Sequence, residues 1–443
     1  MLDTTYRVQI RHRAGQLAKV ARAIGEREGL IGDVTTVKLG REATIREITV
    51  EVRDEDNADE ISEQLNAIDG VKVLWHRDRA LMRHEGGKLN VEARIEARTL
   101  QDTRDIYTPG VARVARVIAD DSELATRYTT IGRTVAICTN GTRVLGLGDI
   151  GPRAAMPVME GKAVFYSQFA GISAVPILID ASEPDDFVAT VKRIAPTFGG
   201  IHLEDISAPE CFEIERRLID DLTIPVMHDD VHGTAVVVLA AAMVACRQVG
   251  IELAGATVGQ LGLGAAGFGI ASLMVDAGVE RVLASDPDPA SHARAVDKGI
   301  AIAELDEVMS TADVVVATTG QPRLIEPAMV REGQVIFALT NPDPEIEPEA
   351  ALAAGAAYGL EGSIVNNVLG YPGIFRGALL AGAEDIDLEM KLAAAWAIAD
   401  LGERTELVPD ALDPIVHERV AEAVRAAAER SGAARPELAA PGL

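Results

Sequence analysis

Cysteine is nearly absent: the 443 residues hold three, Cys138, Cys211 and Cys246, far apart and with no CxxC spacing. That excludes a disulfide scaffold and speaks against a zinc knuckle. Cys138 follows the apolar run Val135-Ala136-Ile137, so a buried, reduced thiol is expected, as in a cytosolic protein. A basic-then-apolar signal segment is also missing from the N-terminus. The longest apolar stretch, Ala235 to Cys246, is too short to span a bilayer and reads as a buried helix. The expectation is a soluble, cytoplasmic protein without a membrane partner. Lysine is scarce as well, eight of 42 basic residues, which genome composition and a salty habitat explain equally well. The formal net charge of −26 argues against an electrostatic grip on nucleic acid or on an anionic membrane. What the chain has in quantity is apolar surface: 48% hydrophobic content is ample for two or three domain cores.

The first ~75 residues carry a pattern of their own. Tyr6, Val8 and Ile10 alternate with polar residues as in a half-buried strand, and Leu17, Val20 and Ile24 recur at helical spacing after Gly15. Further strands are expected over Ile31 to Lys38, around Ile48, Val50 and Val52, and from Val71 to Trp75, with a helix marked by Ile61, Leu65 and Ile68. The order βαββαβ is the ferredoxin-like arrangement. With Arg13-Ala14-Gly15-Gln16-Leu17-Ala18 at the first strand-to-helix turn, residues 1–80 resemble an ACT domain. That resemblance implies pairing through sheets or helices and a small effector, often an amino acid. The polar stretch His76 to Leu89 reads as a linker. Beyond it, strands and helices alternate to about Phe375, the pattern of a parallel, helix-covered sheet, with no internal repeat. The remainder is helical (Met390 to Leu401, Ile415 to Arg430), and the tail from Ala433 is expected to fray.

Ala256 to Leu261 is a buried-strand candidate that runs into Gly262-Leu263-Gly264-Ala265-Ala266-Gly267, then a helical stretch, then the strand Arg281 to Ser285. In that context the glycines permit the tight turn and the backbone's approach to a pyrophosphate, and the helix N-terminus faces the phosphates. Asp286 ends the second strand, where a carboxylate accepts hydrogen bonds from a ribose 2′-hydroxyl and repels a 2′-phosphate. No Arg or Lys follows directly, so the loop reads as an NAD rather than an NADP site.

Two adjacent acidic pairs, Glu204-Asp205 and Asp229-Asp230, each follow a short apolar run of strand type. Carboxylates gathered at strand ends make a hard oxygen site for Mg²⁺ or Mn²⁺. Either pair alone reads more simply as a solvated loop end. Three further segments have equally plain readings when taken singly. Tyr107 precedes a Pro-Gly turn, Arg143 follows a hairpin-like Asn-Gly turn on what reads as a strand, and Lys162 lies at an apparent helix start.

Their succession is more specific. Tyr107-Thr-Pro-Gly-Val-Ala, Gly146-Leu-Gly-Asp-Ile-Gly-Pro, Glu160-Gly-Lys-Ala, Leu203-Glu-Asp, His228-Asp-Asp-Val-His-Gly-Thr-Ala, the dinucleotide loop, Ala338-Leu-Thr-Asn-Pro and Asn366-Asn-Val-Leu-Gly-Tyr-Pro-Gly-Ile-Phe occur in this order. From about residue 90 to about 430 they resemble the malic enzyme family, in particular its compact bacterial NAD-dependent members. The resemblance implies a substrate and metal domain over 90–232, a Rossmann-like NAD domain with C-terminal helices over 233–430, and a flexible tail over 431–443. It makes Glu204, Asp205 and Asp230 the metal ligands, Lys162 the general base, Asp229 its partner and Tyr107 the general acid. Arg143 matches an arginine that holds a substrate carboxylate. Asn341 and Asn367 match substrate-binding amides, Asn341 being counted with the cofactor as well. The run Gly362-Ser363-Ile364-Val365 departs from the usual acidic, proline-containing sequence.

The implied activity is oxidation and decarboxylation of (S)-malate to pyruvate and CO₂ with NAD and a divalent cation, with oxaloacetate as a further substrate and a homo-oligomer, dimer or higher, as the assembly. Two rivals stand beside it: a malolactic enzyme that releases lactate, and an inactive ACT-bearing nucleotide sensor. The residue types suit the chemistry independently of the family. A lysine can serve as base to a secondary alcohol if it is neutral, a cation stabilises an enolate, and a tyrosine can protonate its carbon. His202, His228 and His232 are expected to pack around the site, since a hard cation prefers oxygen.

Overall fold

The structure is a computed structural model describing residues 2–362, 365–402 and 407–440, and the chain divides into two compact units, 1–90 and 91–443. In the first unit, β1 (Leu2–Arg11), α1 (Gln16–Gly25), β2 (Leu30–Leu39), β3 (Ala43–Val52), α2 (Glu55–Asn66) and β4 (Val71–Asp78) follow the βαββαβ order, and a short α3 (Arg79–His84) closes it. The antiparallel sheet runs β2-β3-β1-β4. Tyr6, Val8, Ile10, Ile48, Val50 and Val52 point to one face and pack under Val20, Ile24, Ile61 and Leu65 of the two helices. The polar stretch expected to be linker is partly structured. His76 to Asp78 extend β4, with Asp78 opposite Thr4, because ladder hydrogen bonds at a sheet edge need no apolar side chains.

The second unit begins with three short helices, α4 (Leu100–Ile106), α5 (Val111–Asp120) and α6 (Leu124–Tyr128), none with a buried residue. A first lobe follows: β5 (Thr134–Thr139), α7 (Pro152–Phe165), β6 (Ser173–Leu178), α8 (Pro184–Ile194), β7 (Gly200–Leu203), α9 (Glu210–Asp221) and β8 (Val226–His228), with a parallel sheet ordered β6-β5-β7-β8. The long α10 (Thr234–Val249) leads into the second lobe. With the turn before it, this is the stretch among the described residues long and apolar enough to cross a membrane, yet it is a core helix, 78% buried.

The second lobe is a doubly wound sheet. Its elements are β9 (Thr257–Leu261), α11 (Ala265–Asp276), β10 (Arg281–Ser285), α12 (Pro289–Asp297), β11 (Ala301–Ile302), α13 (Leu305–Thr311), β12 (Val314–Ala317), β13 (Val335–Ala338), α14 (Pro348–Ala353) and β14 (Tyr358–Glu361). All six strands are parallel in the order β11-β10-β9-β12-β13-β14, which reverses direction beside β9, where ligands bind in such sheets. Val314, Val315 and Val316 are fully buried, as expected of a strand covered on both faces. Finally α15 (Tyr371–Ala381), α16 (Leu388–Leu401) and α17 (Pro414–Ser431) pack together. The tail does not fray over its described part. Arg435 N–H bonds Ala381 O and Ala440 N–H bonds Leu379 O, so carbonyls at the end of α15 hold it.

Candidate active site

Both acidic pairs sit at the carboxyl ends of neighbouring parallel strands, β7 and β8, so adjacency in the sheet converts a separation of 25 positions into contact. Ligand oxygens of Glu204, Asp205 and Asp230 lie within 4.8 Å of one another. Asp205 takes a left-handed backbone conformation (φ 54°), which aspartate tolerates better than most residues. Its N–H donates to Asp230 Oδ2 at 2.9 Å, while its buried Oδ2 has no hydrogen-bond partner among the described residues. Burial, then the charge of Asp230, pushes the Asp205 carboxyl up to about 7 and Glu204 well above the ordinary carboxylate range. Three crowded carboxylates, one with an orphaned oxygen, fit a hard divalent cation.

Lys162 lies in the last turn of α7, not at a helix start. The helix begins at Pro152, where the missing N–H costs nothing, and Pro157 is accommodated inside it. That register carries Nζ to 2.5 Å from Asp229 Oδ2 and 3.0 Å from Glu204 Oε1, with Nζ also 4.6 Å from the ring centre of Tyr371. Burial alone would lower the lysine, but Asp229 and Glu204 outweigh it and hold the ammonium well above its usual range. Behind this pair, Tyr166 Oη lies 2.8 Å from His202 Nδ1, and His202 Nε2 lies 2.7 Å from Glu204 Oε2. Burial, then the charge of Lys162, keeps His202 neutral. The arrangement that satisfies every atom has Tyr166 donating to Nδ1 and Nε2–H donating to Glu204. His202 thus sits behind Glu204, and the contacts of Tyr166 and Tyr371 were not read from the sequence. Tyr371 stood inside a quoted motif, and its proximity to Lys162 across 209 positions was the missing information.

Arg143 is on a loop after β5, not on a strand. Side chains of Thr139 and Asn140 take the N–H groups of Gly141 and Thr142, so the chain turns instead of pairing. Arg143 N–H bonds Asp205 O, and its side chain lines a cavity of about 860 Å³ together with Lys162, Glu204, Asp205, Asp230 and Asn367. Gly264, Ala265, Ala266 and Gly267 line the same cavity. The glycine pattern is required here. Gly262 has φ +87°, and a Cβ on Gly267 would stand 2.0 Å from Gly262 O. No side chain caps the N-terminus of α11, and Asp286 at the end of β10 accepts Leu263 N–H at 2.6 Å, so the cradle fits a dinucleotide. Tyr107 is 71% exposed at the end of α4 and is not in this cavity, and exposed Asn341, at the carboxyl end of β13, is not in it either. Ser363 and Ile364 of the divergent run lie outside the described residues.

A dinucleotide cradle opening onto a lysine and three carboxylates defines a metal-assisted oxidoreductase acting on a small hydroxy acid. Residues 89–183 and 181–219 match the malic enzyme N-terminal domain, and residues 234–322 match the NAD binding domain of D-isomer specific 2-hydroxyacid dehydrogenases. The chain is 52% identical to NAD-dependent malic enzyme 1 of Bacillus subtilis, over 94% of this chain and 95% of that one. It is 41% identical to the NAD-dependent malic enzyme of Geobacillus stearothermophilus, over 98% and 96%. The solved malic enzyme of Pyrococcus horikoshii, 39% identical, superposes with a TM-score of 0.76 over 81% of this chain and 91% of that one. The chain belongs to the malic enzyme family.

Proposed function

We propose that the protein is an NAD-dependent malic enzyme that converts (S)-malate to pyruvate and CO₂ and also decarboxylates oxaloacetate. The observation that carries this reading is the buried Lys162 between Asp229 and Glu204, in the same cavity as the glycine loop. Glu204, Asp205 and Asp230 hold Mg²⁺ or Mn²⁺, which when bound supplies the positive charge that polarises the substrate's oxygens. NAD, seated on Gly262 to Gly267 with its ribose at Asp286, supplies the hydride acceptor. Lys162, having passed a proton towards Asp229, takes the hydroxyl proton at Nζ, and Arg143 holds a carboxylate of malate. Asn367, which lines the cavity, orients the substrate, and Tyr107 protonates the enolate carbon after CO₂ departs. An assay of product and NADH together tests the reading. Pyruvate with stoichiometric NADH is expected; lactate without net NADH would make it a malolactic enzyme, and no turnover a sensor.

Tyr107 reaches such a site in an assembly of two copies. Supporting this, α4 and α5 bury none of their residues although Ile106, Val111 and Val114 are apolar, and the cavity around Lys162 does not include Tyr107. For the first unit we propose an ACT-like regulatory role within residues 1–80. What favours it is a cavity of about 320 Å³ lined by Arg11, Arg13, Gln16 and Arg46 at the first strand-to-helix turn. The setting proposed for the whole enzyme is the cytoplasm.

A further inference from the structure

The glycine loop is tied to the first lobe as well as to its own. Arg294, on α12, has its guanidinium carbon 4.1 Å from the ring centre of Phe212 and 4.7 Å from that of Phe268. The two rings meet edge to face at 5.1 Å. Phe268 belongs to the cofactor helix α11, whereas Phe212 belongs to α9 and packs against the first lobe's core. Nη2 of Arg294 donates to Leu263 O at 3.4 Å, and Leu263 N–H donates to Asp286. A planar guanidinium can lie over a ring and still direct an edge N–H at a carbonyl; a lysine ammonium offers a single point of charge.

The same helix α9 also reaches the turn after β8, one turn further along. Glu215 is buried, accepts His228 N–H at 2.7 Å with Oε1, and meets His232 Nε2 at 3.1 Å with Oε2. His228 and His232 bracket Asp229 and Asp230. Helix α9, which carries both Phe212 and Glu215 one turn apart, therefore links Arg294 beside the dinucleotide loop to the turn that carries the carboxylates. At a second point the lobes touch backbone to backbone: a Cβ on Gly269 would stand 2.1 Å from Val231 O.

We propose that Arg294, Phe212 and Glu215 are positioning residues that couple the two halves of the site, so that nucleotide and the metal–hydroxy-acid pair each strengthen the other's binding. Ordering Leu263 on the cofactor fixes Arg294 against Phe212. That sets α9, and α9 sets the turn carrying Asp229 and Asp230. By linkage the effect is reciprocal.

The inference rests on the NAD- and metal-dependent reading of the site, and its test uses binding alone. NADH fluorescence titrations of the full-length protein are run with and without Mn²⁺ plus tartronate, an unreactive hydroxy-dicarboxylate. Mn²⁺ titrations in the same tartronate are run with and without NADH. In the parent protein Mn²⁺–tartronate should tighten NADH at least about five-fold, with the same factor for the reverse pair. Arg294→Met and Phe212→Leu should bring that factor below about two, while Arg294→Lys, which keeps a cation on the rings, should restore part of it. Glu215→Gln should weaken Mn²⁺ more than NADH. A merely structural role would lower melting temperatures and leave the factor unchanged, which would overturn the proposal. So would a parent protein that binds both ligands independently. If NADH and Mn²⁺ do not bind at all, the functional reading falls with it.

Discussion

At the scale of single residues, the crowding of Glu204, Asp205 and Asp230 dictates how the protein responds to pH and metal. A carboxyl raised in the folded state binds its proton more tightly there than in the unfolded chain. Its contribution is therefore fully present below the unfolded value and is lost as pH rises through the folded one, about 7 for Asp205. In excess chelator the melting temperature should fall between about pH 4 and about pH 7; saturating Mg²⁺ should remove most of that fall and should bind more tightly as pH rises. Asp230→Ala should abolish turnover and the Mg²⁺-dependent rise in melting temperature. A flat melting profile in chelator, or full activity without metal, would contradict the site. Acid and base separate by reaction. Tyr107→Phe should block pyruvate formation from malate yet affect reduction of a simple 2-keto acid by NADH far less, whereas Lys162→Ala should cut both by about a hundred-fold or more. Equal losses in the two assays for both variants would refute the assignment.

At the scale of elements, two glycines with different surroundings make a controlled comparison. A Cβ on Gly233 would stand 1.8 Å from Asp229 Oδ1. Gly233→Ala should displace Asp229 from Lys162 and lower kcat by about a hundred-fold, since errors of about 1 Å at a reacting group have that effect. Gly250, the left-handed residue that ends α10, has open space around its Cβ position, so Gly250→Ala should cost about 1 kcal/mol of stability and leave kcat unchanged. Full kcat in Gly233→Ala would show that the turn is more pliant than its packing suggests. The strands were legible because their apolar runs are short and bounded: β7, β8, β9 and β10 lie where the pattern put them. Misreadings arose where local chemistry competed with pattern. Lys162 was expected at a helix start although Pro152 begins that helix, and the turn at Asn140 looked like a hairpin because side-chain capping by Thr139 and Asn140 has no periodic signature.

For the whole molecule, the exposed Tyr107 makes the proposed two-copy site testable without a structure. If Tyr107 serves the partner's cavity, mixing inactive Lys162→Ala and Tyr107→Phe chains under exchange should restore about a quarter of parental activity, because half of the dimers are mixed and each has one intact site. If Tyr107 serves its own chain, mixing restores nothing. Removing the first unit tests regulation: a chain starting near Lys88 retains every residue of the cavity and should oxidise malate without responding to amino acids or other small effectors. A folded but inactive truncation would show that the unit supports catalysis instead. By itself the sequence determined the βαββαβ unit, the doubly wound cofactor lobe and the residue types proposed to hold the metal and to act as base. These depend on hydrophobic period, glycine placement and residue type, all of which are local. Only the tertiary structure decided which of those residues meet. Neighbouring parallel strands brought Glu204 to Asp230, the register of α7 placed Lys162 between two carboxylates, and Arg294 closed on Phe212 across the lobes. Such contacts depend on crossovers and packing angles that no stretch of sequence encodes by itself.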